Sequence, residues 1–376
     1  MPLVLQPHEY AELLVECEAV KQPLFVQGGP GIGKSAIPRQ VFTKVAASRG
    51  LEFLEWSDLT LAKKVECIKN PGKYFILGDF RTSQMDTTSL QGVPNMANTE
   101  MLENIPYSWV VYFTQPKAHG SIFFDEINLA APIVQSITYS AIHDRVIADR
   151  RLADDVFIFA AGNRQQDKAH LFEMPLPLRD RFAECEMTHN MDDWVEWAMK
   201  AKINPHLISF VSWRPSYLYK VDCGKKEKPS TPRGIHRAST LLASRDILSD
   251  KAHMLISISC GEAFATEFQA YVNCYSLIKW DALFKNPKSA KDLKVDQMYA
   301  VSAGLAERFQ QDPTNTKLID NIFKVSENFE REDFTMNTFR MMRDYDLSAL
   351  GNAIKKLNLG ASFARRYGKY MVDVEG

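Results

Sequence analysis

Residues 28–35, Gly28-Gly29-Pro30-Gly31-Ile32-Gly33-Lys34-Ser35, carry the residue types and spacing that hold a phosphate chain. They fit G-x-x-x-x-G-K-[ST]. In that pattern successive backbone N–H groups wrap the phosphates, the lysine reaches the β/γ oxygens, and the hydroxyl helps hold Mg2+. Glycines 28, 29, 31 and 33 let the backbone come close to a ligand. A second constellation follows some ninety residues on, where the apolar run Ser121-Ile122-Phe123-Phe124 ends in Asp125 and Glu126. Carboxylates at the C-terminal end of a buried strand stand where open α/β sheets bind ligands. Asp125 is expected to hold Mg2+ through water, and Glu126 to orient or deprotonate an attacking water. Either acid alone could simply cap the next helix. Asn163 closes a third apolar run, Val156 to Ala161. It either sits opposite a γ-phosphate or serves as a left-handed turn residue. Arg179 and Arg181 precede another apolar stretch, Phe182 to Met187. They are ordinary surface charge, or a cation given in trans to a neighbouring subunit's γ-phosphate. Arg233 falls in the first turn of a helix opened by Thr231-Pro232, a poor place for a cation unless an anion is near.

These groups need elements to hold them. Leu24 to Gln27 reads as a buried strand entering the glycine-rich loop, and Ala36 to Ala47 as the helix leaving it. The N-terminus of that helix, beginning at Ala36, would face the phosphates. Pro38 is tolerated near its first turn. Pro7 to Val20 reads as a helix with Leu13, Leu14, Cys17 and Val20 on one face; it packs, or borders the base of a nucleotide. Leu51 to Asn70 suggests a short strand and a helix, and Lys73 to Phe80 a second buried strand. Arg81 to Gly120 is polar and without clear period, with exposed-looking Tyr107, Trp109, Tyr112 and Phe113, and is too long for a plain connector. Ala131 to Asp144 predicts a helix with an apolar stripe of Ile133, Val134, Ile137 and Ala141. Arg145 to Leu152 predicts a small hairpin, and Val156 to Ala161 a central parallel strand.

From Met191 the character is helical, with Trp194, Trp197, Ile203, Leu207, Phe210 and Val211 as core. Cys223 to Ser230 reads as a linker. A helix starting at Thr231 runs through Leu242, and further helices break near Pro287 and Pro313. The last stretch, with Lys355, Lys356, Arg365, Arg366, Lys369, Tyr367 and Tyr370, reads as a solvated basic helix face, with nucleic-acid contact the minor alternative.

The chain has 376 residues, enough for one large or two unequal domains. Its 45 basic and 46 acidic residues nearly cancel, which argues against a bulk binder of nucleic acid or membrane surfaces. Cys17, Cys67, Cys185, Cys223, Cys260 and Cys274 are scattered, without a C-x-x-C pair, as small buried hydrophobes in a reducing compartment. No basic, apolar leader opens the chain and no run of about 18 apolar residues occurs, so a soluble, cytoplasmic protein is expected.

Taken in order, the motifs resemble a MoxR-like AAA+ ATPase, in the branch close to dynein-type AAA domains, over residues 5 to 275. Gly28 to Ser35 matches Walker A. Phe123 to Asn128 matches Walker B with the "DEIN" ending, Ala161 to Arg164 sensor 1, Arg181-Phe182 the "RF" element, and Thr231-Pro232-Arg233 the "PR" of sensor 2. Gln91 to Pro94 and Trp194 to Pro215 also look like this branch. The resemblance implies an α/β fold, a P-loop αβα sandwich of strand order 5-1-4-3-2 over residues 1–200, then a helical lid and extension over 201–376. An insertion at about 90–120 and a hairpin at about 145–155 would face the pore of a ring, usually a hexamer, with Tyr107 and Trp109 gripping substrate. Arg181, preferred over Arg179, would complete the neighbour's site. The resemblance implies ATP and Mg2+ as the ligands, and no N-K-x-D guanine-reading signature is seen. The activity so implied is Mg-dependent ATP hydrolysis that remodels a protein partner. The alternative is a nucleic-acid motor or a restriction- or phage-system NTPase, for which Arg150-Arg151 is the hint. A scaffold with weak turnover is a third reading, and Glu126 argues against it. The resemblance does not extend to the final hundred residues.

Overall fold

Strand-length apolar runs, each too short to bury itself, are joined into one parallel sheet. The structure, a computed structural model, describes residues 3–97, 103–164, 172, 174–221, 227–243, 245–247 and 249–357. The chain divides into two units, Met1–His189 and Asn190–Gly376. In the first unit the order is β1 (Leu3–Leu5), α1 (Pro7–Val20), β2 (Leu24–Gly28), α2 (Ala36–Ser48), β3 (Glu52–Glu55), α3 (Leu61–Lys69), β4 (Tyr74–Arg81) and α4 (Thr87–Gln91). Next come β5 (Val93–Pro94), β6 (Asn104–Ile105), α5 (Ser108–Phe113), β7 (His119–Asp125), α6 (Pro132–His143), β8 (Val146–Ile147) and β9 (Arg150–Arg151). The unit closes with β10 (Val156–Gly162), α7 (Leu176–Arg179) and β11 (Ala183–Met187).

The seven-stranded sheet runs β1-β11-β2-β10-β7-β4-β3, and every pair is parallel. Numbered along the chain, its inner strands β11-β2-β10-β7-β4 have the expected order 5-1-4-3-2, with β1 and β3 added at the edges. Phe42 of α2 lies against Phe75, Phe157 and Phe159, and Phe159 stacks on Phe123 at 4.4 Å. These rings set the sheet face that α2 covers. Register then places Phe123 and Asp125 of β7 on that face, level with Asp79 and Arg81 of β4.

Three sequence expectations change here. Val20 is exposed, and α1 packs through Tyr10, Leu14 and Cys17. Ile133 is exposed as well; α6 buries Val134, Gln135, Thr138, Ala141 and Ile142, a stripe turned by one residue. Trp109, Tyr112 and Phe113 are core residues, and of the four aromatics only Tyr107 is exposed. Trp109 lies 4.3 Å from Phe80, and the Tyr112 hydroxyl donates to the carbonyls of Tyr74 and His119, both at 3.0 Å. The polar residues around this short helix masked it. Three rings carry too much apolar area to leave in water. Trp109 therefore does not grip a substrate. The 81–120 stretch also holds α4, α5 and the β5–β6 pair, so it is not structureless; residues 98–102 lie outside the described ones.

The second unit is helical: α8 (Met191–Lys200), α9 (Pro205–Trp213), α10 (Pro232–Leu242), α11 (Asp250–Cys260), α12 (Glu262–Ser276), α13 (Trp280–Lys285), α14 (Val295–Gln311), α15 (Thr316–Ser326), α16 (Glu332–Tyr345) and α17 (Leu347–Lys356). Among the described residues its apolar side chains form two clusters. One gathers Leu207, Phe210, Ile235, Phe264, Phe268 and Tyr271; the other gathers Leu283, Ile319, Ile322, Phe323, Phe339 and Leu350. Helix α14 serves both, turning Ala300 and Ala306 to the first and Met298, Val301, Leu305 and Phe309 to the second. Cys223 and the tail beyond residue 357, with Arg365, Arg366, Tyr367, Lys369 and Tyr370, lie outside the described residues.

Candidate active site

The glycine-rich loop turns on Gly31 (φ 76°) and Gly33 (φ 110°), backbone conformations that side chains oppose. Gly28 is required for a different reason: a Cβ there would fall 2.7 Å from the Met187 carbonyl oxygen and 2.9 Å from Ile32 Cδ1. Gly29 is buried, and Pro30 is exposed at the loop's outer edge. The Ala36 and Ile37 N–H groups donate back to the Gly33 carbonyl, at 2.9 and 3.0 Å, and so start α2. Lys34 is buried. Its ammonium donates to the carbonyls of Gly28 (2.6 Å) and Gly29 (2.8 Å) and lies 3.4 Å from Asn163 Oδ1. The Ser35 hydroxyl donates to Asp125 Oδ2 at 2.9 Å.

Asp125 and Glu126 occupy the end of β7. The Glu126 N–H donates to Asp125 Oδ1 at 2.9 Å, and Thr82 Oγ1 donates to the Asp125 carbonyl at 2.7 Å. Glu126 is left-handed, φ 57° and ψ 34°. For a glutamate this backbone carries a cost of about 1 kcal/mol, repaid by the surrounding bonds. It turns the chain sharply after the strand, and the Glu126 carboxylate takes a hydrogen bond from Ser83 Oγ at 2.5 Å. Lys34, Ser35, Asp125 and Asn163 are thus gathered at the C-terminal ends of β2, β7 and β10, with Glu126 alongside.

The residues that support this group are not readable from the sequence. Arg39, on the first turns of α2, donates to the Ser35 carbonyl (2.8 Å), to Glu55 (2.8 Å) and to Asp79 (2.6 Å). Burial pushes the Asp79 carboxyl up to about 6; Asp125 and Glu55 add to the rise and Arg39 opposes it. Asn128, in the single turn Ile127–Leu129, bonds the backbone of Asn163 twice. Apart from the Ser35 carbonyl, four positions before Arg39, their partners lie sixteen to forty positions away, so no local spacing betrays these residues.

The arginines stand apart. Arg164 pairs with Glu186 at 3.1 Å. Arg179 is held by both oxygens of Glu184, at 2.9 and 2.8 Å. Arg181 donates to His143 Nδ1 (2.9 Å) and to the exposed Asp180 (3.1 Å). It precedes β11, which starts level with Leu24 and ends level with Gly28. Arg181 therefore sits one strand length, about 16 Å, from the phosphate loop of its own chain. Arg233 belongs to the second unit. Thr231 caps α10 by accepting the Gly234 N–H, and the exposed Arg233 has no hydrogen bond or ion pair among the described residues.

The donor set suits a hard cation held with a nucleotide. One hydroxyl and one carboxylate leave most coordination positions to phosphate and water, as Mg2+ prefers. Among the described residues no group of three or more His, Cys, Asp or Glu is placed to hold a metal alone.

No protein-family model matches the sequence. No curated protein matches it. Solved structures do. The ATP complex of NtrX from Brucella abortus is 14% identical, covering 94% of this chain and 68% of its own, with a TM-score of 0.35. PCH-2 of C. elegans is 13% identical over 71% of this chain and 69% of its own, at 0.32. A point variant of RuvB from Thermotoga maritima is 13% identical over 93% of each chain, at 0.28. These are distant likenesses. Among the described residues no helix is long and apolar enough to cross a membrane.

Proposed function

We propose that the chain is an AAA+ ATPase of MoxR type that hydrolyses Mg·ATP in a ring, usually a hexamer, and remodels a protein partner. The observation that carries this reading is the convergence of Lys34, Ser35, Asp125 and Asn163 within hydrogen-bond reach at one end of the sheet, beside Glu126. Residues 28–36 would cradle the phosphates, and Ser35 with Asp125 would hold Mg2+, which supplies charge neutralisation at the β/γ oxygens. Glu126 would take the proton of the attacking water. Its left-handed backbone and the Ser83 bond fix where that carboxylate starts. Asn163 would touch the γ-phosphate or that water.

The ring is supported by Arg181. It lies at the wrong end of β11 to serve its own loop and is bound only to an imidazole and an exposed carboxylate, whereas Arg179 is locked in a fork. A neighbouring subunit's phosphate is a consistent target, and Arg233 would supply a second cation from the lid. Near-neutral net charge favours a protein partner over nucleic acid. The exposed Arg150 and Arg151, which form strand β9 of the β8–β9 hairpin, favour a nucleic-acid motor as the second reading.

Steady-state phosphate release against protein concentration, with mass photometry and with or without DNA, tests these points together. A rate per subunit that rises with assembly and ignores DNA is expected. Strong DNA stimulation selects the motor, and a concentration-independent rate from a monomer removes the shared site. Glu126→Gln is expected to bind ATP, keep its assembly and lose turnover; native turnover in that variant removes Glu126 as the base.

A further inference from the structure

Asn128 follows the catalytic pair by two residues and is almost fully buried. Its side-chain amide meets the backbone of Asn163 at both ends: Nδ2 donates to the Asn163 carbonyl at 2.6 Å, and Oδ1 accepts the Asn163 N–H at 3.1 Å. The two bonds fix the orientation of the amide, since a flipped group would face donor to donor and acceptor to acceptor. Gly162 makes room for it. A Cβ at that position would lie 2.8–2.9 Å from Oδ1, Cγ and Nδ2 of Asn128, so no other residue type leaves the clamp in place. The Asn128 carbonyl in turn accepts the Phe172 N–H at 2.9 Å. From the clamped backbone the Asn163 side chain reaches to 3.4 Å from the Lys34 ammonium.

The geometry points to Asn128 as a positioning residue. It ties the turn that carries Glu126 to the strand end that carries Asn163, and so sets Asn163 against Lys34 and the phosphate. Both ends of the Asn128 amide are taken up by the Asn163 backbone, so Asn128 acts through Asn163. The inference deepens the ATPase reading and rests on it for the catalytic readout. The clamp itself is a matter of two hydrogen bonds and is measurable without turnover.

The test uses the full chain as wild type, Asn128→Ala, Asn163→Ala and the double variant, with kcat and KM for Mg·ATP, nucleotide affinity, and hydrogen exchange of the peptide spanning 160–164. Displacement of a reacting group by about 1 Å costs about 100-fold, and a loss of that order in kcat with near-native affinity is expected for Asn128→Ala. The double variant is expected to be no slower than Asn163→Ala alone, because the two residues form one pathway. The Asn163 amide is expected to lose its exchange protection in Asn128→Ala. A kcat unchanged by Asn128→Ala overturns the proposal, and so do losses that multiply in the double variant, the signature of general destabilisation. Native turnover in Asn163→Ala, with Glu126→Gln inactive, also overturns it while leaving the ATPase standing. A wild type without any turnover defeats the ATPase reading alone; the exchange measurement then decides the clamp, lost protection supporting it and unchanged protection overturning it. Should Asn128→Ala not fold, Asn128→Asp replaces it: close in shape, it keeps the acceptor and turns the donor into an oxygen facing a carbonyl, and the same outcomes apply.

Discussion

The two ends of the parallel sheet hold polar clusters of similar size and opposite character. At the far end Glu18, nearly inaccessible, is bound by Lys21 at 2.6 Å and Arg49 at 2.5 Å, while Asp155 takes Lys21, Arg49 and His119. There charge meets charge, and the cluster joins α1 and α2 to the starts of β7 and β10. At the near end the buried Lys34 points its hydrogen bonds at carbonyl and amide oxygens, and Asp125 takes a hydroxyl and a backbone N–H. A cluster that balances itself stabilises; at the near end Arg39 balances Glu55 and Asp79 behind the site, while the Lys34 ammonium, turned to carbonyl and amide oxygens, is placed to meet a ligand's charge.

The comparison breaks if near-end and far-end substitutions behave alike. Lys34→Ala should have the largest effect, a loss of about 100-fold or more in ATP turnover or binding, with a urea midpoint close to wild type. Glu18→Ala should do the reverse. Leaving Lys21 and Arg49 without their buried partner should cost about 3 kcal/mol in urea unfolding, with nucleotide affinity unchanged. A dependence on pH separates Asp79 from the far-end cluster. Its folded value of about 6 lies above that of an unfolded carboxylate, so the folded state binds the extra proton. Its contribution is complete below about pH 4 and is lost as pH rises through about 6, a change of about 3 kcal/mol that Asp79→Asn should remove from the pH–stability curve. Ser83→Ala should be smallest: one hydrogen bond to Glu126, about 1 kcal/mol, read as a kcat change below about tenfold with no change in unfolding.

The near end was legible in the sequence in proportion to how locally its chemistry is written. Gly28 to Ser35 and Asp125-Glu126 are contiguous, and the apolar runs before them specify buried strands; the strand order was implied by the family resemblance alone, and the sheet has it. Asn128 and Arg39 were not legible as positioning groups. Each looks like an ordinary polar residue until the fold brings up a partner far along the chain. Val20 and Ile133 were misplaced for a simpler reason: an apolar residue on the edge of a helical stripe can fall on either side of the water line, and its neighbours decide. Trp109 was misread from its surroundings. Polar composition over residues 81–120 outweighed the local Trp-Val-Val-Tyr-Phe run, which forms its own buried helix.

Helix α14 has a practical consequence for the residues after it. Because its two faces complete two different clusters, the chain beyond Ser276 offers no place where the helical unit can be cut without loss. Removing the final helices would strip Val301, Leu305 and Phe309 of cover, and removing α14 would uncover the face of α9. A nick is another matter. The stretch 312–315 between α14 and α15 is mostly exposed and lies outside both helices, so a protease that opens it should leave two pieces that stay together through the α14–α16 contact and part only in denaturant.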